Sequence, residues 1–269
     1  MSGDVKGLLG CTLVLVAHPD DEAVGCGVLL QRMRDPVVVF ATDGAPHDKF
    51  FWEAHGSRTA YRETRRREAR DALGIIGVKQ VEFLAVPNTG EPFTDQELYL
   101  CIPDALRALD TLLDRYRPEA MLTLAYEGGH PDHDTCNLLA WRAAQPRNLP
   151  VFEMPLYHRL SDGRGVWQQF LSPNENEIVV EPAAHELDRK QRMLATYVSQ
   201  GEVLKSFASN LERFRPLVPY DYSRPPHPGT LNYEAWQWRM TGTDVARAFA
   251  SQLPARSVPQ HHFSDEDAT

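Results

Sequence analysis

TLVLVAHPDDE, residues 12–22, decides the fold. Its first six positions form an unbroken, nearly wholly apolar run, the mark of a strand buried on both faces of a parallel sheet. The run stops at His18-Pro19-Asp20-Asp21-Glu22, five polar or turn-forming residues. A helix is predicted over 21–33 and a second apolar run over 37–41, followed by the loop Thr42-Asp43-Gly44, which makes a β-α-β unit. The alternation continues with a charged helix over 59–73 ending at Gly74 and a strand over 81–84. A helix over 98–116, a strand over 120–124 and a helix over 132–144 follow. Such alternation implies an α/β fold, a doubly wound and mainly parallel sheet of Rossmann-like type.

Beyond Pro146 the pattern loosens. Strands are expected over 151–154 and 177–180 and a helix over 185–198. Residues 217–229, dense in Pro and Tyr, read as irregular but ordered. This gives one α/β domain over 1–253 with an irregular C-terminal extension. Residues 254–269, polar and without periodicity, are expected to be a disordered tail.

The 269 residues carry 37 acidic against 28 basic side chains, a formal charge of -9. That balance argues against a nucleic-acid footprint. No apolar run approaches the ~20 residues of a membrane-spanning helix. Leu8-Leu9-Gly10-Cys11 looks like a lipoprotein box, but the ten residues before the cysteine include Asp4 and Lys6 and make no signal segment. Cys11, Cys26, Cys101 and Cys136 form no CxxC pair, so neither a disulfide framework nor a thiolate metal site is indicated. The expectation is a cytoplasmic enzyme acting on a small molecule, with a homo-oligomer compatible.

Chemistry concentrates in two clusters, His18-Pro19-Asp20-Asp21-Glu22 and His130-Pro131-Asp132-His133-Asp134, each following a predicted buried strand. Both fall at carboxyl ends of strands, the edge where open α/β sheets bind ligands, so they can converge. Imidazole and carboxylate suit zinc, whose catalytic sites use three protein ligands and leave one position to water. His18, Asp21 and His133 can supply that set. Asp20 is then the candidate general base. His130 lies across the site, to stabilise an oxyanion or protonate a departing amine, held in its charged form by a carboxylate such as Asp132. Each cluster also has a purely structural reading, since acidic residues suit a helix N-terminus and Asp132 can serve as an N-cap.

AHPDDE and HPDHD together resemble the paired motifs of the PIG-L/LmbE-like zinc-dependent N-acetylglucosaminyl deacetylases. The resemblance implies His18, Asp21 and His133 as zinc ligands, with iron(II) the alternative metal. It also implies Asp20 as general base and His130 as second catalytic group with Asp132 as its partner. The segment from Arg65 to Gly74 resembles the family's RxxEA...LG stretch, which places Arg65 near substrate polar groups; the alternative for Arg65 is a solvated helix face. Asp43 is matched to a loop that supports the site and its substrate. Tyr197 and Gln200 match a later segment only weakly. The implied reaction removes an N-acyl group, acetyl above all, from an amino-sugar conjugate. A deacylase of an antibiotic or thiol conjugate and a silent metal- or sugar-binding protein are the alternatives. A facial-triad iron oxygenase is a weaker rival, because His18 and Asp21 lack the HxD spacing. The chain departs from the family at Pro87-Asn88-Thr89-Gly90 and at its aromatic end, where Tyr220, Tyr222, Tyr233, Trp236 and Trp238 read as core more readily than as a sugar platform. His227 reads as a packing residue.

Overall fold

The computed structural model describes residues 5–208 and 210–253; the predicted tail lies outside them. The opening apolar run forms β1 (Thr12–Val16), flanked in parallel by β2 (Val37–Phe40) and β4 (Ala120–Leu124), with Leu13 opposite both Val37 and Met121. Every residue of these three strands is buried, as apolar runs without alternation require. β3 (Gln80–Phe83) extends the sheet beside β2, and β5 (Val151–Met154) extends it beside β4. The parallel order is therefore 3-2-1-4-5, the doubly wound arrangement, whose switch point lies between β1 and β4.

α3 (Arg58–Ile75), α4 (Ile102–Tyr116) and α5 (Pro131–Ala144) follow β2, β3 and β4. Ser57 caps α3 by accepting a hydrogen bond from the Ala60 N–H at 3.1 Å. The helix runs past Gly74, which lies inside it; the left-handed glycine beyond its end is Gly77, with φ 77°.

The helix predicted over 21–33 is broken into α1 (Asp21–Cys26) and α2 (Leu29–Arg32). At the break, the Val28 and Leu29 N–H groups donate to the buried Glu212 carboxylate at 2.7 and 2.9 Å. Glu212 belongs to a strand that the sequence reading missed, Glu212–Pro216. It runs antiparallel to β5 and carries a further strand, Ile178–Val180, at the sheet edge. In chain order β6 (Tyr157–Arg159), β7 (Gly165–Trp167) and β8 (Ile178–Val180) thus precede β9 (Glu212–Pro216). Between β8 and β9 lie α6 (Ala184–Thr196) and α7 (Gly201–Leu204), and α8 (Asn232–Ala235) and α9 (Gly242–Ala250) close the described chain. β6 and β7 form a separate antiparallel hairpin over the carboxyl edge of the sheet. Its seat is backbone on backbone: a Cβ on Gly129 would stand 1.9 Å from the Tyr157 carbonyl oxygen, so only glycine fits there.

Candidate active site

The two clusters follow β1 and β4, neighbours at the switch point, and the fold brings them together. Asp20 sits at the strand-to-helix corner with φ 131°, a conformation that costs an L-residue roughly 1–3 kcal/mol and must be held by its surroundings. Glu22 helps hold it, accepting the Asp20 N–H at 3.2 Å, and Glu22 in turn accepts the Tyr197 hydroxyl. Asp20 precedes α1 but makes no side-chain capping bond. Its Oδ2 instead takes the Arg65 Nη2 at 3.0 Å.

Three side chains converge beside it. His133 Nε2 lies 3.3 Å from His18 Nδ1 and 3.3 Å from Asp21 Oδ1, while His18 Nδ1 lies 3.6 Å from Asp21 Oδ2. Ligand atoms each about 2.0–2.1 Å from a tetrahedral zinc stand roughly 3.4 Å apart, close to these separations, with the two histidines meeting different oxygens of Asp21. Asp21 Oδ2 accepts the Ala17 and His18 N–H groups, which fixes the carboxylate and leaves Oδ1 toward His133. Burial opposes its ionisation, but His133 and His18 hold the carboxyl well below the ordinary range. On the far side of the His18 ring, Nε2 lies 3.3 Å from both Asp132 Oδ2 and Asp95 Oδ1. A carboxylate behind an imidazole fixes the tautomer and leaves Nδ1 as the free donor.

Asp132 differs from expectation. It neither caps α5 nor partners His130: its oxygens take the Gln96 N–H at 2.7 Å, the Leu98 N–H at 3.1 Å and His18 Nε2, and the His130 Nδ1 is 4.0 Å away. His130 itself is the N-cap, its Nδ1 accepting the Asp132 N–H at 3.1 Å. That bond places the ring proton on Nε2, which faces Asp95 Oδ1 at 3.4 Å. Burial first, and then the neighbouring His18, pushes His130 down to about 4, so a charged imidazolium is not its resting form. Asp20 moves the other way: burial, aided by Asp21 and opposed by Arg65, pushes it up to about 7.

Arg65 is buried rather than solvated. It donates to the Gly44 carbonyl at 2.6 Å and the Pro19 carbonyl at 2.7 Å as well as to Asp20. A side chain on Gly44, whose φ is 62°, would meet the guanidinium at 2.7 Å. Asp43 stays behind the site, pairing with Arg58 at 2.6 Å and accepting the Asp95 N–H at 3.2 Å. It positions the loop that carries Asp95 and does not line the cavity.

Sequence reasoning missed Asp95. The signal was its place in the loop after β3, at the same carboxyl edge as both motifs. The cluster opens into a cavity of about 620 Å³ lined by Asp20, Asp21, His18, His130 and Arg65, and walled by Tyr157, Trp236 and Trp238. Gln200, which donates to the Tyr61 hydroxyl at 2.6 Å, lines it too. Tyr222 and Tyr233 are core as expected, Tyr220 and Trp238 are half-buried against the core, and Trp236 is exposed. His227 is tied to the Gly229 N–H at 3.0 Å and belongs to neither histidine cluster.

Fold and cluster together define a doubly wound α/β protein with a buried histidine-carboxylate centre at its switch point. Residues 13–144 match the model of the PIG-L family, described as GlcNAc-PI de-N-acetylase. The chain is 24% identical over 202 residues to a probable N-acetyl-alpha-D-glucosaminyl L-malate deacetylase of Bacillus cereus, covering 71% of this chain and 84% of the relative. It is 30% identical over 148 residues to a diacetylchitobiose deacetylase of Thermococcus kodakarensis, spanning 52% of this chain and about half, 51%, of that relative. Among solved structures, a deacetylase of the teicoplanin biosynthetic pathway superposes with a TM-score of 0.59 at 18% identity, covering 78% of this chain and 99% of that one, which supports the shared fold.

Proposed function

We propose that this protein is a metal-dependent N-deacetylase that releases acetate from an N-acetylated amino-sugar conjugate. The observation that carries the reading is the meeting of His18, Asp21 and His133 at ligand spacing beside Asp20, within the PIG-L match. These three residues hold the ion, zinc in the first instance and iron(II) as the alternative. When bound, it polarises an amide carbonyl and lowers the pKa of water.

The remaining work belongs to the chain. Asp20, buried and poised at about 7, accepts a proton from the attacking water. Its backbone is pinned by Glu22 and its carboxylate by Arg65, so the accepting oxygen needs no reorganisation. As the carbonyl oxygen gains charge, the neutral His130 donates its Nε2–H to it. Collapse breaks the C–N bond, and Asp20 returns its proton to the departing nitrogen, leaving acetate and a free amine. A cytoplasmic setting accords with four cysteines that are all free.

Metal analysis with acetate assays on N-acetylglucosamine conjugates tests this. Wild type is expected to carry about one equivalent of zinc or iron and to release acetate, and His133→Ala to lose both. Full activity in a metal-free His133→Ala protein would overturn the proposal.

A further inference from the structure

The reacting groups occupy one end of the cavity, and the remainder has a different character. Tyr157 packs edge-on against His133 with ring centroids 5.2 Å apart, and Trp238 packs against His130 at 5.0 Å. From these two, aromatic contact continues outward through Trp236, 5.1 Å from Trp238 and 6.0 Å from Tyr157, and through Phe207, 6.0 Å from Tyr157. Trp167 joins the wall from the β6–β7 hairpin. Trp167 and Trp236 are 45% and 46% exposed, too open for core residues of this size. All five lie beyond residue 144, outside the PIG-L match.

A volume of about 620 Å³ is that of a pocket for a drug-sized ligand, well beyond one amino sugar. Since acetate is the group removed, the extra volume serves the part that stays on the amine. Gln96, Arg159, Gln200 and Asn232 also line the cavity, but a polyol laid on the five aromatic faces would lose hydration there without regaining hydrogen bonds. An apolar appendage gains about 0.8 kcal/mol for each methylene buried. We infer that the substrate is an N-acetylated amino sugar bearing an apolar aryl or alkyl aglycone, which lies in the cleft among Tyr157, Trp167, Phe207, Trp236 and Trp238. This rests on the deacetylase reading above.

Two readouts separate the assignments. The first is acetate release from methyl, hexyl and phenyl N-acetylglucosaminides, compared with hexanoate release from N-hexanoylglucosamine as a control for a long acyl group. The hexyl and phenyl glycosides are expected to exceed the methyl glycoside roughly tenfold or more in kcat/KM, which burial of two methylenes is enough to supply. Trp236→Ala is expected to collapse that ratio, whatever its effect on folding yield. Equal kcat/KM across the glycosides overturns the aglycone cleft and leaves the deacetylase intact. Release from N-hexanoylglucosamine that outpaces every glycoside also overturns it, by moving the apolar group to the acyl side. The second readout is quenching of tryptophan fluorescence by the same glycosides. Tighter binding of the hexyl than the methyl glycoside without acetate release from either would keep the cleft and overturn the deacetylase reading.

Discussion

At the residue scale the decisive feature is that two adjacent carboxylates, Asp20 and Asp21, have opposite electrostatics. Asp21 accepts two backbone N–H groups and faces His18 and His133, which favours its charged form; Asp20 is raised to about 7 because burial outweighs its one arginine. Carboxylates whose environments separate them in this way divide ligand and base roles. Asp20→Asn keeps the shape and the Arg65 contact while removing the proton acceptor. We expect kcat to fall by about 10²–10⁴ with metal content unchanged. Loss of metal in that variant would instead make Asp20 a ligand. That these residues meet at one site was legible from the motifs, because both clusters follow buried strands at the same carboxyl edge of the sheet. The partner of His130 was not legible: that its Nε2 faces Asp95 depends on a loop whose path no local pattern fixes.

At the scale of elements, continuous apolar strands were readable to within a residue or so, since burial on both faces leaves no alternation to misread. β9 was not, because ERFRP places charges where an inward face should be apolar. Those charges are internally satisfied. Arg215 Nε donates to Glu153 at 2.7 Å, and Glu212 takes the Lys190 ammonium at 2.7 Å with both partners fully buried. The same lysine donates to the Val24 carbonyl at 2.8 Å, so one buried ion pair fastens β9 and α6 to the break between α1 and α2, immediately behind Asp21. Removing one partner of a buried pair strands the other charge, at a cost of about 3–5 kcal/mol. Lys190→Met is therefore expected to lose about that much in urea-unfolding free energy. A loss under 1 kcal/mol would mean that the two backbone N–H groups on Glu212 suffice.

At the scale of the molecule, the proposed ligand set is divided between the halves of the sheet. His18 and Asp21 follow β1 and His133 follows β4, and the chain between them builds one whole flank of the doubly wound sheet. An ion held by all three joins those halves at the switch point and binds only the folded state, because the unfolded chain does not assemble the donors. Its binding free energy then adds to folding stability as RT ln(1 + [L]/Kd), about 2.7 kcal/mol at a hundredfold excess over Kd. In a chain of this size each kcal/mol moves Tm by about 2–4 °C. Chelation is accordingly expected to lower Tm by roughly 5–10 °C in wild type and to leave His133→Ala, which already lacks one ligand, almost unmoved. An equal fall in both proteins would place the chelator's effect away from this centre. An unchanged Tm in a wild-type protein shown to have lost its metal would mean that histidine–carboxylate contacts alone hold the two halves together.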